Sequence, residues 1–287
     1  MAGDLVHEIL IDRDDYGDAM ARTGDRRAFE EFLQQAYAET PQWYLPAICQ
    51  ACERAVALLA DRQFSDGGYV NFRERLECPH CRLNTRQRFM AHLVRGALAA
   101  RPEGSALRTY LHEQVTPFFQ WARATLPGEV IGSEYLGHDV PGGTVVNGIR
   151  HEDALALSFD DASVDVIIST DVLEHVPEID PALSEAARVM RPGGSFFFSI
   201  PFHSGSDVTV QRAELRDGEV VELLPPQYHG NPVSEKGSLV FWDHGWDMLD
   251  RLRRHGFPDA HVVGYWSVMY GYLGGGGLQM MFAATRG

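Results

Sequence analysis

VDVIISTDVLEHV, residues 164–176, decides the fold of this chain. Its first seven residues are mostly apolar or β-branched, and their number and composition predict a buried parallel strand. At Asp171 the segment turns polar, and we expect a helix to follow. Ligands of open α/β sheets bind beyond the carboxyl ends of the strands. The Asp171 carboxylate and the His175 imidazole, just past this strand, therefore indicate a ligand site.

Two further segments flank this strand. HEDALALSFD, residues 151–160, precedes it, and ARVMRPGGS, residues 187–195, leads into the apolar strand 196–200. In order and spacing these segments resemble the class I S-adenosylmethionine-dependent methyltransferases of type 11, with their acidic "D-A" segment, D-V-L-E-H strand end and R-P-G-G turn. The resemblance covers about residues 106–287. It implies an α/β, Rossmann-like, seven-stranded sheet with helices on both faces.

Length and charge limit the class of protein. The chain has 287 residues, enough for one large α/β domain and a small module. It has no run of about 18 apolar residues and no basic-then-apolar N-terminal segment, so we expect a cytoplasmic protein without a membrane span. The formal net charge of -15 argues against broad nucleic-acid binding, which needs neutralising Lys and Arg. The oligomeric state stays open.

We expect three parts in the chain. Residues 1–45 form a loosely attached polar arm, to about residue 24, and then a helix over 25–38 capped by Asp25. Residues 46–102 form a cysteine module and a linking helix that ends at the Arg101-Pro102-Glu103-Gly104 breaker cluster. Residues 103–287 form the α/β domain, with an insertion at about 202–244.

All four cysteines lie in the second part, as Cys49-Gln50-Ala51-Cys52 and Cys78-Pro79-His80-Cys81. Two Cys-x-x-Cys knuckles supply the four thiolates of a tetrahedral Zn²⁺ site. Thioredoxin-like redox motifs would each need a fold of their own, and a disulfide is not expected in the cytosol. Four protein ligands leave no open coordination position, so the sequence predicts structural zinc.

Arginines cluster around the second knuckle, with two glutamates opposing them. They can offset the negative charge of a four-thiolate centre or form a solvated helix face, and the alternative is a small basic patch for phosphate or RNA. Some rRNA methyltransferases, which belong to the resembled group, carry a cysteine-rich module before the catalytic domain. The arginines are Arg73, Arg75, Arg82, Arg86, Arg88 and Arg95.

The first strand of the α/β domain is predicted at 106–111, followed by a helix with Thr116 as cap and Pro117 at its first position. The resembled family has a glycine-rich turn between them, and no G-x-G is present here. By resemblance, Glu113 takes the place of the acidic residue that precedes those glycines.

The second strand, 129–135, ends at Glu134 and Tyr135 about twenty residues past the first turn, a spacing at which a carboxylate accepts ribose hydroxyls. The third strand is predicted at 144–149. The resemblance then places Asp153 at the adenine amino group, with Ala154 and Leu155 covering the ring. It places the fourth-strand end, Asp171, Val172 and His175, under the sulfonium.

The insertion is predicted to contain a hairpin that pairs 208–210 with 220–224 around 216–219. Its aromatic residues and histidines are candidates for an acceptor pocket: His203, Tyr228, His229, Trp242 and His244. A helix over 247–255 stopping at Gly256 and two strands, 260–266 and 278–284, close the domain.

Together these features predict methyl transfer from S-adenosylmethionine to a small-molecule acceptor. If the acceptor is a hydroxyl, His203 is the first candidate for a general base, followed by His229 and His175. Three alternatives stay open: an RNA methyltransferase that reads RNA with the zinc module, a relative that uses the same cofactor for other chemistry, and a protein that has lost cofactor binding.

Overall fold

The computed structural model describes residues 5–65, 67–102, 104, 106–231 and 233–287. Glu103 of the predicted breaker cluster lies outside these ranges. The helices are α1 (Arg13–Ala21), α2 (Gly24–Ala36), α3 (Thr85–Ala99), α4 (Pro117–Thr125), α5 (Ile179–Val189) and α6 (Asp247–Arg254), with a 3₁₀ turn at Leu173–His175. The strands are β1 (Val6–Leu10), β2 (Gln42–Cys49), β3 (Arg54–Asp61), β4 (Arg108–Leu111), β5 (Glu129–Gly132), β6 (Val145–Val146), β7 (Ile149–Arg150), β8 (Val164–Thr170), β9 (Met190–Ser199), β10 (Val210–Gln211), β11 (Ala213–Arg216), β12 (Glu219–Glu222), β13 (Tyr228–Asn231), β14 (Ser234–Leu239), β15 (Trp242–Asp243), β16 (His261–Trp266) and β17 (Gln279–Thr285).

The main sheet has seven strands in the order β1-β16-β17-β9-β8-β4-β5. Strands β5, β4, β8 and β9 are parallel neighbours, and β17 is antiparallel to β9. The connections β4-α4-β5 and β8-α5-β9 run in opposite directions across the sheet. Because such crossovers are right-handed, α4 and α5 cover opposite faces. The predicted seven-stranded α/β sheet with helices on both faces is confirmed.

The predicted third strand, 144–149, is wrong. Residues 145–150 form the two-residue strands β6 and β7, which pair with each other outside the main sheet. The turn between them, Asn147-Gly148, has positive φ at both residues, 54° and 82°. An Asn-Gly turn of this kind favours a tight hairpin and so interrupts a longer strand. Within the described segment 144–151, only His151 makes a parallel bridge, to Glu134.

The N-terminal stretch supplies the seventh strand instead. The prediction of a loose arm to about residue 24 is wrong, because β1 pairs antiparallel with β16 from Val6–Trp266 to Leu10–Val262. The Asp12 side chain then caps α1 by accepting from the Asp15 N–H. In α2 the predicted Asp25 cap lies inside the helix, whose N-cap is Thr23.

The chain divides into two compact units. The first comprises residues 1–100 and 262–281, and the second comprises 101–261 and 282–287. In the first unit, α3 begins with a capping box, in which the side chains of Asn84 and Gln87 each accept a hydrogen bond from the other residue's backbone N–H. Fully buried Arg88, on the same helix, donates to the carbonyl of Gly271 at 2.8 Å. This contact ties the loop after β16 to the helix that follows the second cysteine pair.

In the second unit, α4 has Thr116 as its cap and Pro117 as its first residue, as predicted. The predicted hairpin of the insertion is partly wrong. β11 pairs with β12 around Asp217-Gly218, but Val210 of the predicted first strand pairs with Asp243 of β15. A further hairpin, β13–β14, was not predicted. Pro232, in its turn, lies outside the described residues, and across the described ranges no helix has the length and apolar character to cross a membrane.

Candidate functional site

The strand order of the second unit reverses between β4 and β8, the arrangement that opens a crevice at the carboxyl ends of the two strands. Glu113 lies just past β4 and is buried. Its Oε1 accepts from the Thr170 hydroxyl at the end of β8, and its Oε2 accepts from the Thr116 hydroxyl at the start of α4. Glu113 therefore joins the turn after β4 to the neighbouring strand end.

Glu134, just past β5, holds the same turn from the other side. Its Oε1 accepts the backbone N–H groups of Gln114 at 2.7 Å and Val115 at 3.0 Å. Its Oε2 has no hydrogen-bond partner among the described residues. A Cβ at Gly132 would lie 2.5 Å from the Glu113 carbonyl oxygen, so only glycine allows this approach. Side chains thus organise a turn that lacks the glycines of the resembled family.

Asp153 lies beside Glu134 because the two chain segments run together. Glu134 bridges His151, and the Glu152 N–H donates to the Glu134 carbonyl at 3.3 Å. The Asp153 Oδ1 accepts from the Leu155 N–H at 2.9 Å, and its Oδ2 has no hydrogen-bond partner in the described parts of the chain. Two carboxylates, each with one oxygen available, therefore stand on adjoining segments.

The remaining candidates for the adenosyl ligand surround these carboxylates. Ala154 and Leu155 are half-buried in the turn after Asp153. Tyr135 is 55% exposed, and partial burial followed by the Asp153 charge raises the pKa of its phenol. These residues offer apolar and aromatic surface beside the Asp153 carboxylate.

Asp171, at the end of β8, has a left-handed backbone with φ of 52°. Its N–H donates to the Ser199 carbonyl at 2.9 Å, and its Oδ1 accepts from the Ser199 hydroxyl at 2.8 Å. A non-glycine residue in this region is strained and is held there by its surroundings. Val172 follows, half-buried. The strand end is thus fixed by β9, and strain at such a position is typical of functional sites.

His112 is a residue at this edge that the sequence analysis missed. It follows β4 directly, and its Nδ1 lies 3.2 Å from the Ser169 hydroxyl. Its Nε2 is buried and has no partner among the described residues. Burial lowers the pKa of His112 to about 4, so the ring is neutral near pH 7. The sequence signal that could have identified His112 was its position between a central strand and Glu113.

Comparison with a protein family supports a ligand site in the second unit. Residues 130–198 match the family model described as "Methyltransferase domain". The match falls on the part of the chain that contains Glu134, Asp153 and Asp171. The chain contains a class I methyltransferase domain.

Curated relatives of this methyltransferase domain cover only part of the chain. A "Probable S-adenosylmethionine-dependent methyltransferase" of Mycolicibacterium smegmatis is 40% identical over 115 residues, 38% of this chain and 43% of the relative. An "Arsenite methyltransferase" of Aquipseudomonas alcaligenes is 35% identical over 115 residues, 39% of this chain and 28% of the relative. The chain thus spans less than half the length of these two relatives.

A solved structure of a putative S-adenosylmethionine-dependent methyltransferase from Listeria monocytogenes aligns with 69% of this chain and 99% of its own. The TM-score is 0.40 and the identity 13%.

Two of the three candidate bases of the methyltransferase domain come together. The rings of His175 and His229 lie 5.0 Å apart, centroid to centroid, in an edge-to-face arrangement. Both approach Glu174, which is completely buried. Contact with Glu174 raises the pKa of His229 against the opposing effect of burial. Nothing in the sequence reveals that Glu174 is buried or that His229 approaches it, so this grouping was not predicted.

The other insertion candidates have different environments. His203 is more than half exposed, with its Nε2 3.6 Å from Asp243 Oδ1. Tyr228 is also exposed. The Trp242 indole donates to the Val176 carbonyl at 2.8 Å and so fastens the insertion to the 3₁₀ turn after β8. His244 is fully buried, and burial lowers its pKa to about 3, so it is a packed neutral ring.

The four cysteines of the first unit form one cluster. Their sulfurs all lie within 4.8 Å of one another, with Cys49–Cys81 and Cys52–Cys78 Sγ distances of 3.7 Å. Burial and then the neighbouring thiols raise the pKa of Cys52 to about 12. A tetrahedron with Zn–S bonds of about 2.3 Å has edges of roughly 3.8 Å. The spacing of the sulfurs therefore fits a four-thiolate metal site.

The six arginines of the predicted cluster mostly bind carboxylates. Arg75 contacts Asp61 at 2.6 Å, and Arg86 contacts Glu74 at 3.1 Å. Arg73, Arg82 and Arg95 pair with Glu74, Glu77 and Glu53, while buried Arg88 donates to backbone carbonyls. Five of the six arginines therefore form ion pairs with carboxylates of the first unit, and Glu74 is shared by two of them.

Proposed function

We propose that the protein transfers a methyl group from S-adenosylmethionine to a small-molecule acceptor. The observation that carries the proposal is the pair of available carboxylate oxygens, Glu134 Oε2 and Asp153 Oδ2, on adjoining segments of a methyltransferase domain. An adenosyl group carries hydroxyl and amino donors at its two ends, and charged acceptors bind such donors strongly.

The described residues fit this cofactor in the following roles. Glu134 accepts a ribose hydroxyl with the one oxygen that the turn leaves available, and Asp153 accepts from the adenine amino group. Ala154 and Leu155 line the ring. Glu113 positions the turn because threonine hydroxyls occupy both of its oxygens. Asp171 and Val172 define the end of β8 beside the reacting centre.

When bound, the cofactor supplies an electrophilic methyl group on its sulfonium. Transfer is an in-line displacement, so the chain's contribution is to align the acceptor and exclude water. His203 is the most accessible candidate base, and its Nε2 lies 3.6 Å from Asp243 Oδ1. His229 already contacts the buried Glu174 carboxylate.

We further propose that the four cysteines hold structural Zn²⁺. The donor set and the sulfur spacing support this role, while the arginines near the cluster form ion pairs with carboxylates. The same ion pairs disfavour an RNA-reading module, because phosphate binding needs basic side chains that are not already neutralised.

The arsenite methyltransferase relative suggests arsenite as another acceptor. Soft ions prefer thiolate ligands. All four cysteines of the chain belong to the first unit, and the methyltransferase unit, 101–261 and 282–287, has none. This distribution favours an organic acceptor.

Calorimetry with S-adenosylhomocysteine tests the cofactor site. Glu134→Gln keeps a carbonyl oxygen for the Gln114 and Val115 N–H groups but replaces the second oxygen with an amide. We expect Glu134→Gln and Asp153→Asn each to weaken binding by about 10–100-fold, since a hydrogen bond to a charged group contributes about 1.5–3 kcal/mol. Glu129→Gln, at an exposed ion pair with Arg108, is the matched control and should bind like the parent.

Unchanged affinity in both folded variants, with thermal unfolding like that of the parent, would contradict the proposal. Absence of any S-adenosylhomocysteine binding by the parent protein would favour a domain that has lost its cofactor. Mass spectrometry of small acceptors incubated with S-adenosylmethionine then separates methylation, seen as a gain of one methyl group, from other chemistry.

A further inference from the structure

We infer that Glu174, His175 and His229 form a binding site for a divalent transition-metal ion. This inference deepens the proposed function, on which its catalytic meaning rests, because the 3₁₀ turn that carries Glu174 and His175 directly follows Asp171 and Val172. The ion would lie on the acceptor side of the reaction and bind an oxygen atom of the acceptor.

The geometry of the three side chains fits a shared ion. Each offers one ligand atom, and the three atoms lie within 4.8 Å of one another. Glu174 Oε1 is 3.6 Å from His175 Nε2 and 3.5 Å from His229 Nδ1. Such distances are too long for hydrogen bonds. They are close to the roughly 3–3.5 Å that separates adjacent donors around a cation with bonds of about 2.0–2.2 Å.

Glu174 itself provides the second observation. Its side chain is completely buried, and neither carboxylate oxygen has a hydrogen-bond partner in the described part of the chain. A buried carboxylate is strongly unfavourable unless it is paired with a positive charge or coordinates a metal. The Glu174 carbonyl, by contrast, accepts from the Phe241 N–H at 2.8 Å, so the residue is firmly placed.

The His175 ring is oriented for this role. Its Nδ1 lies 2.8 Å from the Leu239 carbonyl oxygen, which can only accept a hydrogen bond. Nδ1 therefore carries the proton, and Nε2, the atom nearer Glu174, presents a lone pair when the ring is neutral. Metal-bound histidines commonly donate their other ring N–H to a carbonyl or carboxylate in this way.

The donor set limits the kind of ion. Two imidazoles and one carboxylate suit Zn²⁺, Fe²⁺, Co²⁺, Ni²⁺ or Mn²⁺, whereas Ca²⁺ and Mg²⁺ prefer oxygen ligands throughout. The side chains of His175 and His229 are 16% and 28% exposed. Three protein ligands with an accessible side leave coordination positions for water or a substrate oxygen. A hydroxyl, phenol or carboxylate on the acceptor fits such a position.

An ion pair between Glu174 and a protonated His229 is the competing arrangement. Asp171 and Asp243 also act on His229, and they are the other acidic groups that face it. This ion pair would engage one carboxylate oxygen and would need no metal. It therefore predicts that the protein takes up no ion beyond that of the cysteine cluster.

The test is a Co²⁺ titration of the 287-residue protein with the cysteine cluster already loaded with zinc. We expect one additional Co²⁺ per chain, with a visible spectrum that lacks the thiolate-to-cobalt charge-transfer bands of a cysteine site. Glu174→Gln, similar in shape, and His229→Gln, at a partly exposed ring, should each weaken this binding by more than about 100-fold, beyond the roughly 10–100-fold effect of altered supporting residues. His138→Gln is the matched control, because His138 also lies beside a carboxylate, 3.2 Å from Asp139, but on an exposed segment.

Three results would overturn the inference: no additional ion, an ion with thiolate charge-transfer bands, or equal affinity in Glu174→Gln, His229→Gln and His138→Gln. S-adenosylhomocysteine calorimetry on the same samples separates the two proposals. Ligand binding by a protein that takes up no additional ion removes only the metal site. An additional ion in a protein that binds no S-adenosylhomocysteine supports the metal site and removes the proposed function.

Discussion

Two groups of candidate metal ligands in this molecule differ in how the chain assembles them. The cysteine cluster takes its four ligands from two Cys-x-x-Cys knuckles, each formed within four residues. The Glu174 cluster joins two adjacent residues after β8 to His229, which lies in a hairpin of the insertion. Local spacing therefore reveals the first group in the sequence, whereas the second exists only because the insertion folds onto the 3₁₀ turn.

The two groups also differ in what they can do. Four thiolates would complete a tetrahedron around Zn²⁺ and leave no position for a substrate, which is why a structural role is proposed for the first cluster. Three ligands, two of them partly exposed, leave positions open. The same distinction separates structural from catalytic metal sites in general. The two proposals therefore differ in kind: the first cluster would contribute to stability and the second to acceptor binding.

Loss of a cysteine gives the largest expected effect on stability. Cys49→Ser should abolish stoichiometric zinc and lower the free energy of unfolding by about 5 kcal/mol, a fraction of the roughly 10–16 kcal/mol with which structural zinc binds small peptides. Zinc analysis of the purified protein and denaturant unfolding measure the two effects. Ala51→Ser, a substitution of similar size within the same knuckle, is the control.

Retention of one zinc per chain in Cys49→Ser would contradict a four-thiolate site. Equal stability of parent and variant would show that the cluster has no structural role. Glu174→Gln tests whether the two groups are independent. It removes a buried charge from the second group and should leave the zinc content at the cysteines unchanged.

A smaller effect on the free energy of unfolding is expected from the pH dependence of His244, at the end of the insertion. Burial, followed by the positive charge of Arg251, lowers the pKa of His244 to about 3 from a usual value of 6.5. Below pH 6.5 the unfolded chain therefore binds a proton that the folded chain does not, and the free energy of unfolding falls as pH decreases toward 3. At pH 5 this linkage amounts to about 2 kcal/mol.

His244→Asn should remove that part of the pH dependence. The quantity to compare is the change in unfolding free energy between pH 7 and pH 5, because the substitution also alters packing at every pH. Asp243 and His203 are the other titratable groups that act on His244, and they stay in place. His138→Asn, at an 86% exposed side chain, should keep the slope of the parent, and an equally steep slope in His244→Asn would exclude the buried ring as its source.

The sequence predicts most of the sheet because its signals are local. Residues 164–170 form β8, Thr116 and Pro117 start α4, and Gly256, with φ of 97°, follows α6. Each signal involves a few neighbouring residues. The β1 edge strand escaped prediction because its partner, β16, lies at the other end of the chain. No local sequence pattern specifies a pairing between two strands that are so far apart in the sequence.

The candidate site divides in the same way. Glu134 was found from its position at the end of the second strand and Asp153 from the family resemblance, and the structure brings their segments together. The use of one Glu134 oxygen by the turn after β4 could not be predicted, since it depends on the path of a loop without glycines. The environment of Glu174 depends on long-range contacts with His229 and Phe241 of the insertion. Their roles toward a cofactor or an ion stay predictions.

The smallest expected effect separates local from long-range structure within the insertion. The β11–β12 hairpin turns at Asp217-Gly218, where φ is 51° and 83°. Two positive φ values define a turn that fits the twist of a hairpin and favours glycine at its second position. Gly218→Ala should therefore destabilise the hairpin by about 1 kcal/mol, measured by amide hydrogen exchange of 213–222.

Gly205→Ala, at a position without positive φ and with no atom within 4 Å of the added Cβ, should have little effect. Because this hairpin is formed by its own turn, we expect the same Co²⁺ affinity at the Glu174 cluster in both variants. A tenfold loss of affinity in Gly218→Ala alone would show that the β11–β12 hairpin and the part of the insertion that contains His229 fold together.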